Sequence, residues 1–328
     1  MTRHALVALA ALAASLTLLV AACGGDGPES AGPVPTVDVV TEPAGPGDTG
    51  GPPGESTDSG PAPTEPAPPE TEPAETFAFE VWFARDAGAI LGEDGTEISL
   101  GPLLFSTSRT AEETPRVARA ALEALLAGPS PAEQAAGVST AIPDGTRLLD
   151  VTIEDGIAIV DLSSEYESGG GSLAMMLRLA QVVYTVTQFP TVAGVQFELD
   201  GQPVEVFSGE GIVLDHPVTR EDYEDVTSPI TVVSPSIGER VESPARIVGT
   251  ANVFEATVTV LVLDAQGGEL ARDFTTATCG TGCRGEYELE LPFSVGAEQP
   301  GTIVVEDDDA AGVGRPPHVV EIPVTLVP

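Results

Sequence analysis

Two kinds of hydrophobic pattern alternate in the middle of the chain, beyond residue 76. Short runs of β-branched and aromatic residues predict strands. Two pairs of these runs are separated by only three residues, 154–156 and 200–202, and each pair predicts a hairpin. The runs are 77–83, 103–107, 148–153, 157–162, 195–199 and 203–206. Apolar residues at helical spacing predict one helix between Pro115 and Gly128 and a longer one from Ser172 to Phe189. The mixture predicts an α+β domain over 77–226, with an antiparallel-rich sheet and two helices.

From about Ser228 to the C-terminus the pattern predicts strands alone. The strand-like runs are 230–233, 246–249, 258–263, 287–291, 302–306 and 319–326. Gly- and Pro-containing turns separate them, and the whole region is about the size of one sandwich domain. The pattern therefore predicts an all-β, immunoglobulin-like sandwich over 227–328.

The first 22 residues have the pattern of a secretory signal peptide. Arg3 and His4 precede an apolar run over 5–20, which is short for a membrane-spanning helix. Small residues then lead into Cys23, and the run 20–23 resembles a bacterial lipobox. The resemblance implies cleavage before Cys23 and lipidation of its sulfur with diacylglycerol and palmitate. The alternative is an ordinary signal peptide followed by a chance cysteine.

The composition changes abruptly over 23–76. Residues 24–76 contain 13 prolines, 11 acidic residues and no basic residue. A segment of this kind cannot bury enough apolar surface to offset its ordering entropy. We therefore predict a disordered, extended Pro/Gly/acidic tether that holds the folded part away from the membrane.

Composition excludes several functions. The chain has 51 acidic residues against 13 basic ones, all of them arginine, and a net charge of −38. Such a chain has no electrostatic footprint for nucleic acid, and it needs a lipid anchor to stay at an anionic membrane. The absence of lysine excludes Schiff-base chemistry, and three scattered histidines predict no multi-histidine metal site. We expect no cofactor.

Four blocks in the α+β region, in this order, resemble the GerM-type sporulation and spore-germination (GerMN) domain: residues 125–129, 139–146, 160–163 and 177–189. Residues 230–235, 247–256 and 322–324 look like the immunoglobulin-like domain of bacterial spore germination that often accompanies it. The resemblance implies an envelope lipoprotein that acts through protein contacts and has no catalytic residues to carry over. GerM-type spore proteins have the α+β domain twice, and here it occurs once.

The long predicted helix carries one polar stripe. Arg178, Gln181, Thr185 and Gln188 are spaced by three, four and three residues and share a face. One hypothesis is a docking face for a protein partner, because guanidinium and amide groups make directed hydrogen bonds at interfaces. The other is a solvated stripe on a helix otherwise buried against its sheet.

Cys279 and Cys283 lie close together between predicted strands of an exported chain. With Cys23 assigned to the lipid, the remaining pair predicts a disulfide. A redox switch and half of a metal site are the alternatives, and the second lacks ligands apart from His318.

Some acidic residues and one glycine run have patterns that also occur at functional sites. Asp161 and Glu165 could form a carboxylate pair of the glycosidase kind, although Asp161 fits a turn-capping role better. The three aspartates at 307–309 have no EF-hand spacing, which favours a solvated turn over a calcium site. The glycines at 169–171 lack the lysine of a phosphate-binding loop.

The sequence thus predicts a non-enzymatic protein at the extracytoplasmic face of the cell membrane, anchored by lipid and acting in envelope protein assembly. The partner is another envelope protein or a second copy. One alternative is a small molecule or wall glycan bound between the domains, and a less favoured one is a carboxylate-dependent hydrolase.

Overall fold

The computed structural model describes residues 75–91, 97–307 and 317–328. The predicted signal peptide, Cys23 and all of the predicted tether except its last two residues lie outside these ranges. Within them, no helix is both long enough and apolar enough to cross a bilayer.

The first half of the described chain combines strands with three α-helices. The strands are β1 (Thr76–Asp86), β2 (Ala89–Leu91), β3 (Glu97–Ser99), β4 (Pro102–Glu112), β5 (Val138–Ser139), β6 (Leu148–Glu154), β7 (Ile157–Leu162), β8 (Gly194–Leu199), β9 (Gln202–Pro203), β10 (Val206–Phe207) and β11 (Ile212–Val213). The helices are α1 (Val117–Leu126), α2 (Pro131–Ala135) and α3 (Ser172–Val186), with 3₁₀ segments at Ser164–Glu167 and Arg220–Val226.

Two sheets organise this half. Strand β1 pairs antiparallel with β4 along its whole length, and β5 pairs with the other side of β1 at Ala84 and Arg85 only. The second sheet has the order β6-β7-β8-β9. The two-residue turn between β6 and β7 consists of Asp155 and Gly156, both with positive φ, which suits the twist of a hairpin.

One strand pair of this antiparallel-rich half is parallel. Strands β7 and β8 are parallel, and α3 forms the crossover between them. A parallel pair needs such a long connection. Helix α3 is enclosed on almost all sides, because every residue from 177 to 186 is buried. Helix α1 instead buries one stripe, formed by Ala118, Ala121, Leu122 and Leu125.

The second half contains strands and one short 3₁₀ segment, Phe254–Ala256. The strands are β12 (Ile230–Ser234), β13 (Arg240–Val241), β14 (Ala245–Ala251), β15 (Thr257–Asp264), β16 (Glu269–Thr276), β17 (Gly285–Leu291), β18 (Gln299–Asp307) and β19 (Val319–Leu326). They form one sheet of order β12-β14-β17 and another of order β13-β19-β18-β15-β16. The described chain is therefore strand-rich with few helices, and one cluster of buried hydrophobic side chains runs through both halves.

Candidate functional site

The polar stripe predicted as an interface lies in the interior. Arg178, Gln181 and Thr185 are 3%, 0% and 0% exposed, and Gln188 is half-buried. The docking-face interpretation is therefore wrong, and so is the solvated-stripe alternative. The physical reason is that α3 crosses between two sheets, so that its polar face meets backbone groups of the domain itself.

Three of the four stripe side chains bind the backbone of strand β1. Gln188 Oε1 accepts from Glu80 N at 2.7 Å, and its Nε2 donates to Glu80 O at 2.7 Å. Thr185 Oγ1 accepts from Trp82 N at 3.2 Å, and Gln181 Nε2 donates to Trp82 O at 3.0 Å. An amide side chain offers the same donor and acceptor as a peptide group. The side chains of α3 therefore bind backbone groups of β1 that a neighbouring strand would otherwise pair.

The fourth residue of the stripe, Arg178, is held by carbonyl oxygens. Its guanidinium donates to the O atoms of Ala141, Tyr166 and Gly169 at 2.9, 2.5 and 3.1 Å, and Tyr166 Oη donates back to Arg178 O at 2.9 Å. Burial lowers the pKa of Arg178. Gln181 Oε1 accepts from Ala141 N at 2.8 Å, so both side chains fix the loop at Ala141 against the helix.

The outer edge of β4 is covered by the C-terminal half. Ser106 Oγ donates to Val232 O of β12 at 3.1 Å, and Ser108 N donates to Ser236 Oγ at 3.1 Å. Leu104 also forms a parallel bridge with Thr227. Strand β12 pairs with β14 on its other side. The two halves therefore meet along two strand edges that would otherwise offer unpaired backbone groups.

An ion pair closes this junction at Glu224, in the segment Arg220–Val226. The Arg284 guanidinium binds this carboxylate: Nε lies 3.1 Å from both oxygens, and Nη2 lies 2.8 Å from Oε1. Asn252 Nδ2 also donates to Oε1, at 3.1 Å. The Arg284 side chain is 15% exposed and that of Glu224 is 34% exposed. Arg284 Nη2 also donates to Ser228 O at 2.9 Å. Because the planar guanidinium binds both carboxylate oxygens, this contact fixes the relative orientation of the two side chains.

Arg220 continues the junction into the core around α3. Its guanidinium lies 4.9 Å from the ring centre of Tyr184 and 5.7 Å from that of Trp82. Its Nη2 donates to Tyr184 O and its Nε to Thr187 Oγ1, both at 2.9 Å. Burial lowers the pKa of Arg220, against the opposing effect of Glu80.

Arg220, Glu224 and Arg284 are functional candidates that no sequence pattern predicted. The one sequence signal that points to the two arginines is the scarcity of basic residues. The chain has 13 arginines and 51 acidic residues, so few cations are left for contacts inside the molecule.

A second ion pair joins α2 to β4, and its carboxylate is buried. Glu133, 2% exposed, accepts from Thr107 Oγ1 at 2.6 Å, from Arg109 at 2.7 and 2.6 Å, and from Ser130 N at 2.6 Å. Burial raises the pKa of the Glu133 carboxyl, but the hydrogen bonds from Arg109, Thr107 and Ser130 outweigh it and lower that pKa to about 2. Glu133 is therefore an anchor for the short helix.

Cys279 and Cys283 are joined in a disulfide, with their Cα atoms 5.7 Å apart. The loop between them lies beside Asn252, since Gly282 N donates to Asn252 Oδ1 at 3.0 Å. The residue after Cys283 is Arg284, which binds Glu224. The disulfide loop thus adjoins the junction between the two halves.

The candidate carboxylate pair has other partners. Asp161 Oδ1 accepts from Gly201 N at 3.0 Å, in the turn of the neighbouring hairpin, and the exposed Glu165 lies 3.8 Å from Arg147.

Asp307 does not belong to a solvated turn. It is 3% exposed and accepts from His318 N at 2.6 Å, while Asp308 and Asp309 lie outside the described ranges. Across the residues that the structure describes, no group of three or more His, Cys, Asp or Glu side chains is arranged to hold a metal.

Two of the surface depressions in the described part of the chain bear on binding. A groove of about 630 Å³ at the start of α3 is lined by residues that include Pro102, Ala141, Leu173 and Leu177, and Leu173 is 44% exposed. A smaller cleft of about 280 Å³ lies at the junction of the two halves. Its lining includes Arg85, Leu103, Ser228, Val319 and Glu321.

Residues 92–205 match the family described as sporulation and spore germination. Residues 229–313 match the family described as the immunoglobulin-like domain of bacterial spore germination. None of the curated proteins matches the chain.

Solved structures resemble the chain more distantly. The tandem GerMN domains of the sporulation protein GerM from Bacillus subtilis are 15% identical, with a TM-score of 0.36, covering 77% of this chain and 61% of that one. The chain thus spans about three fifths of the tandem protein's length. The first GerMN domain alone is 17% identical, with a TM-score of 0.32, covering 44% and 98%. Scores this low support no argument about this chain.

The two family matches carry the assignment. Together they cover more than half of the 328 residues, in the order that the sequence blocks predict. The chain therefore carries a sporulation and spore-germination domain over residues 92–205, followed by an immunoglobulin-like domain of bacterial spore germination over residues 229–313.

Proposed function

We propose that this protein is a lipid-anchored, non-enzymatic assembly protein on the extracytoplasmic face of the cell membrane. Cys23 carries the anchor, the acidic Pro-rich segment serves as a spacer, and the two domains bind an envelope protein. The sporulation and germination families to which the domains belong support a role in that process.

The observation that carries the proposal is the junction between the halves. Strand edges β4 and β12 cover each other, and Arg284 and Asn252 hold the Glu224 carboxylate. Two domains fixed in this way present a continuous surface of constant shape, and a preorganised surface loses less conformational entropy when it binds.

Charge favours a partner other than a second copy. The chain carries a net charge of −38, so two copies repel each other, whereas a partner with a basic surface is attracted and steered. The groove beside Leu173 is a fitting contact point, because a large apolar side chain there is 44% exposed next to apolar neighbours.

The test is site-specific photo-crosslinking in living cells from position 173, with mass spectrometry of the adducts. We expect one abundant adduct with an envelope protein that has a basic surface. Position 274 is the matched control, because Phe274 is an exposed apolar residue of the C-terminal half, 65% exposed. Equal adducts from both positions, or adducts only between copies of this chain, would contradict the proposal.

The anchor is tested separately with Cys23→Ser. The proposal predicts that this variant leaves the membrane fraction and that detergent is no longer needed to extract it. A variant that stays with the membrane would refute the lipid anchor and leave the crosslinking result standing.

The second candidate function, ligand binding between the domains, is favoured by the cleft lined by Arg85 and Ser228. Its volume of about 280 Å³ lies just below the usual range for small-molecule sites. A shift in unfolding temperature with wall-glycan fragments, abolished by Arg85→Ala, would move this function ahead of assembly.

A further inference from the structure

The disulfide loop supports the junction from outside. Thr281 N donates to Val253 O at 2.9 Å, and Gly282 N donates to Asn252 Oδ1 at 3.0 Å. These bonds orient the Asn252 side chain, whose Nδ2 donates to Glu224 Oε1 at 3.1 Å. One side of the Glu224 carboxylate is therefore positioned through the loop.

The same loop positions the second residue that binds the Glu224 carboxylate. Arg284 follows Cys283 directly, and its guanidinium binds Glu224 and Ser228 O. Any change in the path of residues 279–283 therefore reaches both Asn252 and Arg284, which hold the same carboxylate.

The loop closed by the disulfide contains a backbone conformation that is unfavourable in an open chain. Thr281 has a φ of 55°, in the left-handed region that residues with a Cβ rarely adopt. The chain also passes close to its neighbour, because a Cβ at Gly280 would lie 2.6 Å from Ala256 Cα. Without the covalent link, the five residues 279–283 regain conformational freedom and Thr281 can leave this region.

We infer that the Cys279–Cys283 disulfide is a redox latch on the contact between the two domains. A dithiol reductant attacks one sulfur, forms a mixed disulfide and is released as its own disulfide. Two electrons and two protons pass to Cys279 and Cys283, which become thiols. Both cysteines are half-buried, and the intervening Thr281 and Gly282 are exposed, so a dithiol can reach the bond. Reduction releases Asn252 and Arg284 and loosens the junction.

The experiment measures backbone hydrogen exchange by mass spectrometry before and after reduction of the folded protein with dithiothreitol. The informative amide is Ser108 N, which donates to Ser236 Oγ across the junction. We expect exchange over 104–108 and 220–228 to become at least about tenfold faster, the lower limit that follows from losing one hydrogen bond to a charged group. Faster exchange confined to 252–256 and 278–286 would overturn the inference.

Two variants make the test specific. In Glu224→Ala, exchange over 104–108 should already be fast, and reduction should add nothing; a further increase would show that the loop does not act through Glu224. The double variant Cys279→Ser/Cys283→Ser should exchange as fast as the reduced protein without any added dithiol. Exchange as slow as in the oxidised protein would contradict the inference. Fluorescence of Trp82, the one tryptophan of the chain, reports that the α+β domain is folded.

Discussion

Substitution of Glu133 by glutamine tests whether the buried ion pair with Arg109 holds α2 on strand β4. The carboxylate receives four hydrogen bonds, from Thr107, Ser130 and both terminal nitrogens of Arg109, and its side chain is 3% exposed. Glutamine keeps the shape, but it is neutral and turns a donor toward Arg109. Removing one partner of a buried pair leaves the other charge uncompensated.

The magnitude follows from the pKa of the Glu133 carboxyl, which is lowered from 4.5 to about 2. At about 1.4 kcal/mol per pKa unit, this difference stabilises the folded state by about 3 kcal/mol at neutral pH. Because the folded-state pKa is the lower one, the stabilisation is complete above the unfolded-state value of 4.5 and is lost as the pH falls through 2. We expect the deficit of Glu133→Gln to be about 3 kcal/mol at pH 7 and to shrink between pH 5 and pH 2.

The assay is urea unfolding followed by Trp82 fluorescence at several pH values. The matched control is Glu123→Gln, since Glu123 is 61% exposed and lies 3.8 Å from Arg119; its effect should stay below about 0.5 kcal/mol. A Glu133→Gln variant within 1 kcal/mol of the wild type at pH 7, by this order-of-magnitude reasoning, would refute the argument. So would a deficit that stays constant down to pH 2.

Three further outcomes are expected, two from contacts inside the α+β domain and one from the proposed lipid anchor. Gln188→Ala should lower the free energy of unfolding by about 1–2 kcal/mol, because Glu80 N and O lose their partner, and the urea midpoint measures this. Arg178→Met should cost about 3 kcal/mol or more, because three carbonyls become unsatisfied, and faster hydrogen exchange at the loop around Ala141 should accompany it. Cys23→Ser should shift the protein from membrane to soluble fractions, as immunoblotting of the fractions would report.

Sequence patterns predicted the local elements well where periodicity was strong. The hairpin β6–β7, the long helix α3 and most strands of the second half lie where alternation or helical spacing indicates them. Strand β16, Glu269–Thr276, was missed because it is a mostly exposed edge strand without hydrophobic alternation. The pairing of strands was harder to predict than their positions, because no local sequence pattern indicates that β7 and β8 are parallel neighbours.

The polar stripe shows what periodicity leaves open. Its spacing correctly indicates that Arg178, Gln181, Thr185 and Gln188 share one face, but spacing cannot state what that face meets. Strand β1 is more than ninety residues earlier, and its backbone at Glu80 and Trp82 needs partners on this side. Buried backbone groups must be paired, and here side chains far away in sequence do it, which no window of local sequence can reveal.

Two of the blocks that carry the family resemblance are joined by these interior contacts. Arg178 and Gln181, from block 177–189, bind Ala141, from block 139–146. These blocks therefore contribute to the fold of the domain, and we propose that partner choice depends on exposed residues such as Leu173. Gln181→Leu should lower the free energy of unfolding by about 1–3 kcal/mol, since Ala141 N loses its acceptor. Leu173→Ser should change it by less than about 0.5 kcal/mol while reducing copurification of the partner identified by crosslinking. The opposite pattern, with stability lost at 173 and partner recovery lost at 181 in a folded protein, would show that the interior stripe participates in binding.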